Sequence, residues 1–248
     1  MKAMIFAAGL GSRLRPLTDH QPKALVEVGG ISLLEIAIRR LKYYGVKQII
    51  VNVHHFADQI EQFLQKKDAF DINIIISDER EKLLDTGGGL KKAAWFFNDE
   101  EPFLLYNADI LTDLDIEKFY QYHLTKKALA TLAVQERSSN RQLLFGPDYS
   151  LKGWKNNTTG ETKWCQPSTV IEAQDIRPLA FSGIHVISPE IFEYFPANDI
   201  FSMIDFYLLI GGEITIQGYP HTGDLLLDVG KPESIGKAMA VIGQIPLL

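Results

Sequence analysis

Six apolar residues, Ala3 to Ala8, run straight into Gly9-Leu10-Gly11-Ser12-Arg13. A run so short and so apolar reads as a buried strand. The chain must then turn at the end of that strand on two glycines set two apart. Glycine lets a backbone pass close to a bulky anion, and its N–H groups can point at phosphate oxygens. Arg13, Arg15 and Lys23 set three cations beside this turn, in a chain whose net charge is −6. A strand ending in a glycine turn with converging cations reads as a polyphosphate site. The bland alternative is an ordinary strand-to-helix turn with solvated cations. Two other phosphate loops do not fit. The dinucleotide fingerprint wants a glycine or small residue where Leu14 stands. The Walker loop wants Gly-Lys-Ser or Gly-Lys-Thr, which the chain lacks.

Strand-like and helix-like segments alternate beyond this turn. Ser32-Leu33-Leu34-Glu35 has the spacing of a capping box, and the helix it opens buries Leu34, Ile38 and Leu41 before Gly45 stops it. Gln48–Val53 reads as a strand, 56–66 as a helix, 72–76 as a strand, 90–97 as a helix, Phe103–Asn107 as a fourth strand and 128–134 as a fifth. Strands spaced by helices predict an α/β fold: a doubly wound, mostly parallel sheet with helices on both faces. The second half is less regular. A hairpin is expected over 142–155, a polar, turn-rich and mobile excursion over 156–166, strands over 181–187, 214–219 and 225–229, and helices starting at Pro189 and Pro232. With no Gly/Pro/Ser linker and no repeat, 248 residues are expected to form a single domain.

Composition narrows the classes. Hydrophobic residues at 46% and charged residues at 23% suit a globular domain with a large core. The acidic balance argues against nucleic-acid binding, and no run approaches the roughly 18 apolar residues of a membrane helix. The first apolar run is too short for a signal-peptide core, and Cys165 is alone, so no intrachain disulfide can form. A cytoplasmic location is expected.

The pattern A-A-G-x-G-S-R-x-x-P-L-T followed by P-K-x-L resembles the signature of the sugar-1-phosphate nucleotidyltransferases. The resemblance extends to Asp85-Thr86-Gly87-Gly88-Gly89, Asn107-Ala108-Asp109, Phe181-Ser182-Gly183-Ile184 and Asp228-Val229-Gly230. It implies a Rossmann-like nucleotidyltransferase fold, with about 1–135 holding the nucleotide and a smaller β-rich part, about 136–248, holding the sugar phosphate. The 248 residues show no hexapeptide repeats of the kind that form a C-terminal β-helix in many relatives, so no fused acyltransferase activity is expected of them. The turn at Ala8, Gly9, Gly11 and Ser12, with Arg13, is implied to wrap a nucleoside triphosphate. Arg13 and Lys23 are implied to neutralise its phosphates and act in catalysis. The second glycine loop (Thr86, Gly87, Gly88) and Asn107 complete the nucleotide site, and Ser182 and Gly183 contact the sugar side. A flexible surface turn and a plain packing glycine are the bland readings of those last two features.

The reaction so implied joins two anions, so Mg²⁺ and fixed cations must relieve their repulsion. Asp109 and Asp228, both at strand ends, are implied to hold Mg²⁺; alone, each could instead be a helix cap or turn residue. The attacking group is already a phosphate oxygen, so no catalytic His or Ser is required. Adjacent His54 and His55 point to opposite faces of a strand, so they cannot readily chelate one metal and read as structural or solvent-facing. The Glu-Lys-Pro lysine that holds the sugar phosphate in many relatives is absent, leaving Lys163 as a substitute. Within the family the chain looks most like the N-acetylmuramate 1-phosphate uridylyltransferases, with UTP as donor. Guanylyl transfer from GTP to mannose or heptose 1-phosphate is the runner-up, and transfer to a non-sugar alcohol phosphate a third idea. A catalytically silent nucleotide sensor is the rival of another class. Monomer and homodimer are both open.

Overall fold

The computed structural model describes residues 1–166 and 175–247. Four strands form the parallel part of the main sheet: β1 (Lys2–Phe6), β4 (Gln48–Val53), β5 (Asn73–Asp78) and β6 (Phe103–Asn107), after the short pair β2 (Glu27–Val28) and β3 (Ile31–Ser32). Their order is β6-β1-β4-β5, with β1 central. The helices between them are α1 (Leu33–Tyr43), α2 (Ala57–Lys66) and α3 (Asp85–Lys92). The Ser32 hydroxyl accepts the Glu35 N–H at 3.2 Å, the N-cap that the sequence announced. The Glu35 carboxylate pairs instead with Arg39 and Lys67.

The rest of the chain contributes β7 (Ile110–Thr112), α4 (Ile116–Lys126), β8 (Ala130–Gln135), β9 (Arg141–Phe145), β10 (Leu151–Asn156), β11 (Thr162–Trp164), β12 (Arg177–Ile187), α5 (Met203–Ile210), β13 (Ile216–Pro220), β14 (Leu226–Asp228) and α6 (Pro232–Val241). The fifth strand does not sit beside the fourth. β12 lies between β6 and β8 and runs antiparallel to both, while β8 finds its parallel partner in β13. The α4 crossover skips one sheet position, and a later strand fills it. β12 also splits the sheet: residues 177–179 pair with β9, and residues 184–187 pair with β6. The polar stretch is a correction. Thr162–Trp164 is an exposed third strand on the β9–β10 hairpin, so this stretch returns to the sheet after the turn that follows β10. The helix expected at Pro189 forms as a six-residue 3₁₀ helix, Pro189–Tyr194, with the proline in its first turn.

Three apolar layers hold these elements. α1, α2 and α4 pack on one face through Leu34, Ile38, Ile60 and Phe119. α3 and α5 cover the other face through Leu90, Phe206 and Tyr207. A smaller cluster joins Leu14, Leu33, Leu111, Val229 and Ala238, tying the first glycine turn to α6. No helix among the described residues is long and apolar enough to cross a membrane.

Two buried histidines give the fold a pH dependence. His185 on β12 bonds the Tyr207 hydroxyl at 2.9 Å, and burial pulls its pKa down to about 3. His123 on α4 sits between Thr131 and Ser188, and burial lowers it to about 4. Each is neutral when folded but takes a proton near pH 6.5 when unfolded. Their stabilisation is complete above pH 6.5 and is lost as pH falls toward those values. Between pH 6.5 and 4.5 each should account for on the order of 2 kcal/mol of lost stability. Urea unfolding of the native protein and of His185→Gln checks this: the variant should lose less on the same acidification, and equal losses would contradict it.

Candidate functional site

The carboxyl end of β1 supports a cavity of about 460 Å³, lined among others by Ala7, Ala8, Gly9, Lys23, Asn52, Glu79, Thr86, Asn107 and Asp109. This is where a parallel sheet offers ligands its strand ends. Gly9 is exposed, with no atom near the place a Cβ would take. Gly11 has φ +65°, and a Cβ there would meet Lys23 Cβ and Thr18 Cγ2 at 3.0 Å. Its carbonyl accepts the Thr18 hydroxyl at 2.9 Å and the Leu14 N–H at 2.8 Å. Glycine is therefore required at position 11 by the fold of the turn itself. Buried Leu14 anchors the turn and leaves Arg13 exposed.

Below the turn runs a polar relay. The Ala7 N–H donates to Asn52 Oδ1 at 2.8 Å, and Asn52 Nδ2 donates to Glu79 Oε1 at 2.8 Å. The other oxygen of Glu79 accepts the Leu84 N–H at 3.2 Å. Burial pushes the Glu79 carboxyl above its ordinary value, and these hydrogen bonds oppose the rise. The relay links the ends of β1, β4 and β5 to the start of α3. His54 bonds the Glu79 carbonyl, and His55 is exposed and lies against the ring of its neighbour Phe56.

Glycines 87 to 89 are the buried interior of α3, which begins at Asp85, not a loop ahead of a helix that starts at Leu90. Gly87 and Gly88 donate their N–H groups to the Phe201 carbonyl. A Cβ on Gly88 would fall 1.9 Å from the Asp199 carbonyl oxygen, and one on Gly89 would fall 2.7 Å from Glu79 Oε1. The close approach these glycines permit is thus to the 199–201 segment and to Glu79. That segment delivers Ile200 to the cavity wall, and Lys91 holds its start through the carbonyls of Pro196, Ala197 and Asn198. Thr86 lines the cavity and accepts the Met203 N–H at 2.9 Å.

The two aspartates meet because β14 pairs antiparallel with β7. That ladder sets Asp228 opposite Ile110, and the Val229 N–H bonds the Asp109 carbonyl at 2.9 Å. The Asp109 carboxylate is ion-paired with Lys23. Burial, then the like charge and hydrogen bonding of Asp109, raise the Asp228 carboxyl, while Lys23 and Arg13 pull it down. A Cβ on Gly230 would lie 2.7 Å from Asp228 Oδ1 and 3.1 Å from Arg13 Nη2. Four charged residues distant in sequence thus form one cluster.

Ser182 and Gly183 line neither this cavity nor the second one described below. The Ser182 hydroxyl bonds His221 Nε2 at 2.8 Å. Gly183, at φ +77°, sits where a Cβ would press on Ile110 at 2.7 Å and Asn107 at 3.0 Å. Its glycine keeps β12 tight against the turn that carries Asp109. Lys163 is committed elsewhere, 3.2 Å from Asp205 and over the Trp154 ring. Asn52, Glu79 and Ile200 escaped the sequence reading. The first two sit at or just after the apolar runs 48–53 and 72–76, and a polar residue at the end of a buried strand is the signal that could have found them.

A second cavity of about 450 Å³ adjoins the cluster, lined by Arg13, Arg137, Asp228, Lys231 and Lys237 among others. Residues 2–146 match the family model described as Nucleotidyl transferase. The chain is 33% identical over 247 residues to N-acetylmuramate alpha-1-phosphate uridylyltransferase of Neisseria meningitidis serogroup B, covering 98% of this chain and 99% of that protein. It is 36% identical over 154 residues to a mannose-1-phosphate guanyltransferase of Gibberella zeae, covering 60% of this chain and 42% of that one. The crystal structure of HddC from Yersinia pseudotuberculosis has a like fold: TM-score 0.78, 24% identity, with 97% of this chain and 99% of that chain covered.

The packing of α3 can be tested directly. Gly88→Ala forces the Asp199 carbonyl to move and should cost about 1–3 kcal/mol. Urea unfolding measures this, and an unchanged midpoint would show that the 199–201 segment yields freely.

Proposed function

Because this chain belongs to the nucleotidyl transferase family, we propose that it transfers a nucleotidyl group from a nucleoside triphosphate to a sugar 1-phosphate and releases pyrophosphate. The observation that carries the reading is the cluster of Arg13, Lys23, Asp109 and Asp228 between two cavities. The donor's nucleoside is assigned to the first cavity, against Ala8, Gly9, Thr86 and Asn107, with Gly87 and Gly88 as the helix wall behind Thr86. Its phosphates are assigned to Gly11, Ser12, Arg13 and Lys23. Residues of about 1–135 carry this half of a single domain, and about 136–248 carry the acceptor half. Ser182 and Gly183 belong to the acceptor half as the strand that backs the Asp109 turn.

An oxygen of the sugar phosphate attacks the α-phosphorus in line, and pyrophosphate leaves from the opposite side. With a second pKa of roughly 6, that phosphate is mostly dianionic at neutral pH and needs no general base. The difficulty is repulsion between anions, which Arg13 and Lys23 offset by holding positive charge where negative charge shifts. Asp109 and Asp228 suit a divalent cation: they are a close carboxylate pair whose second member resists ionising alone. They would hold Mg²⁺, which takes one or two carboxylates together with phosphate oxygens. The chemistry Mg²⁺ supplies when bound is charge neutralisation at the phosphates. The lone, buried Cys165 is consistent with the cytoplasmic setting proposed.

UTP is the preferred donor and N-acetylmuramate 1-phosphate or a related hexose 1-phosphate the acceptor. The near full-length likeness to the Neisseria uridylyltransferase supports this over the shorter likeness to the guanyltransferase.

Pyrophosphate release from equal UTP and GTP, against muramate, glucose and mannose phosphates, tests the choice. UTP should lead by on the order of 10² in kcat/KM, since a pocket fitted to one base leaves polar groups unpaired with another. A GTP preference with mannose 1-phosphate would replace uridylyl by guanylyl transfer. No turnover with any pair would favour a silent sensor.

Asp109→Ala should fold and lose at least roughly 10² in kcat/KM, as removing a metal ligand costs several kcal/mol. Near-normal turnover by a folded variant would contradict the assigned role of Asp109.

A further inference from the structure

We propose that Arg137 grips the phosphate of the sugar 1-phosphate acceptor; this rests on the nucleotidyl-transfer reading above. The second cavity is lined by four cations, Arg13, Arg137, Lys231 and Lys237, against two carboxylates, Asp228 and Glu233. In a chain of net charge −6, such an excess of positive charge in one concave place marks a site for an anion. Arg13 and Arg137 approach it from different parts of the fold. Arg13 stands on the turn after β1. Arg137 stands just past the end of β8, and its Nη2 donates to the Phe181 carbonyl of β12 at 3.0 Å. The Asp228 carboxylate acts on both guanidinium groups. One member of the metal-binding pair therefore feels a cation from the glycine-turn side and another from the β8–β12 side.

In-line transfer needs that division. The attacking phosphate and the departing pyrophosphate lie on opposite sides of the α-phosphorus, and each brings negative charge that one cation cannot serve. Arg13 belongs with the triphosphate through its place on the glycine turn. The cations left for the attacking phosphate are those carried by the acceptor half of the chain, Arg137, Lys231 and Lys237. A guanidinium suits the task, having five N–H donors in a fixed fork. The Phe181 carbonyl takes one of them, fixing the group, and is its one hydrogen-bond partner among the described residues. Lys231 and Lys237 are exposed point charges at the rim, suited to attracting the anion more than to orienting it.

The test is a set of steady-state constants for the native enzyme, Arg137→Gln and Arg137→Lys, using the sugar phosphate that the acceptor panel selects. Calorimetric binding of UTP with Mg²⁺ and no acceptor is measured beside them. Arg137→Gln should raise the acceptor KM by about tenfold or more. KM for UTP and the calorimetric UTP affinity should change less than about twofold, and Arg137→Lys should fall between the two proteins. In the reverse reaction, KM for the nucleotide sugar should rise and KM for pyrophosphate should hold. Arg137 is solvent-exposed, so the variants should fold, and a melting curve verifies it. An unchanged acceptor KM overturns the proposal. A matching loss of UTP or pyrophosphate affinity overturns it in favour of a triphosphate role. Both results leave nucleotidyl transfer standing, whereas a native enzyme without turnover on any pair removes that reading and this one together.

Discussion

The meeting of Asp109 and Asp228 is the constraint around which the rest of the molecule is arranged. Two carboxylates repel, and they do so across a half-buried turn, Asp109, and an exposed strand end, Asp228. The antiparallel β7–β14 ladder forces them together regardless, with a backbone hydrogen bond from Val229 to Asp109 as its last rung. Lys23 ion-pairs with one carboxylate, and Arg13 stands near the other. Partial desolvation and the Asp109 charge raise the Asp228 carboxyl, and Lys23 and Arg13 pull it back. A perturbed carboxyl among cations beside a cavity is common at functional sites.

Around that pair the sheet does two different jobs. On the β1–β4–β5 side it builds a pocket floor, and the Asn52–Glu79 relay ties strand ends to α3 with satisfied hydrogen bonds. A buried carboxylate held in this way is rigid, and so is the wall it supports. On the β12 side the sheet splits, and Gly183 lets the strand close against the Asp109 turn. The same strand offers the Phe181 carbonyl to Arg137. One strand thus braces the acidic turn and steadies a cation of the neighbouring cavity.

The glycines show how local pattern and tertiary cause can part. The first glycine turn was legible: Gly11 needs its left-handed backbone, and Gly9 lies open at the cavity. Glycines 87 to 89 looked like the same device and are a different one. They thin a helix so that the 199–201 segment and Glu79 can lie on it. Sequence alone cannot tell a glycine that makes room for a ligand from one that makes room for the chain itself. The neighbour responsible is over a hundred residues away in the case of Asp199.

What this sequence determined by itself was local and periodic. Strands 48–53 and 103–107, the Ser32 cap of α1, the hairpin after β8 and the cations flanking the first turn all follow from short-range pattern, because apolar spacing and capping act within a few residues. The comparison with relatives bears out the family those motifs suggested. Tertiary structure alone decided which strands are neighbours: β12 entering between β6 and β8, Thr162–Trp164 joining a meander, β14 finding β7. It also paired Lys163 with Asp205, away from both cavities at the aspartate cluster, and brought Arg137 to the cavity that Asp228 lines. Strand order is set by how whole faces bury against one another, and charge placement follows strand order. Neither is written in the spacing of residues along the chain.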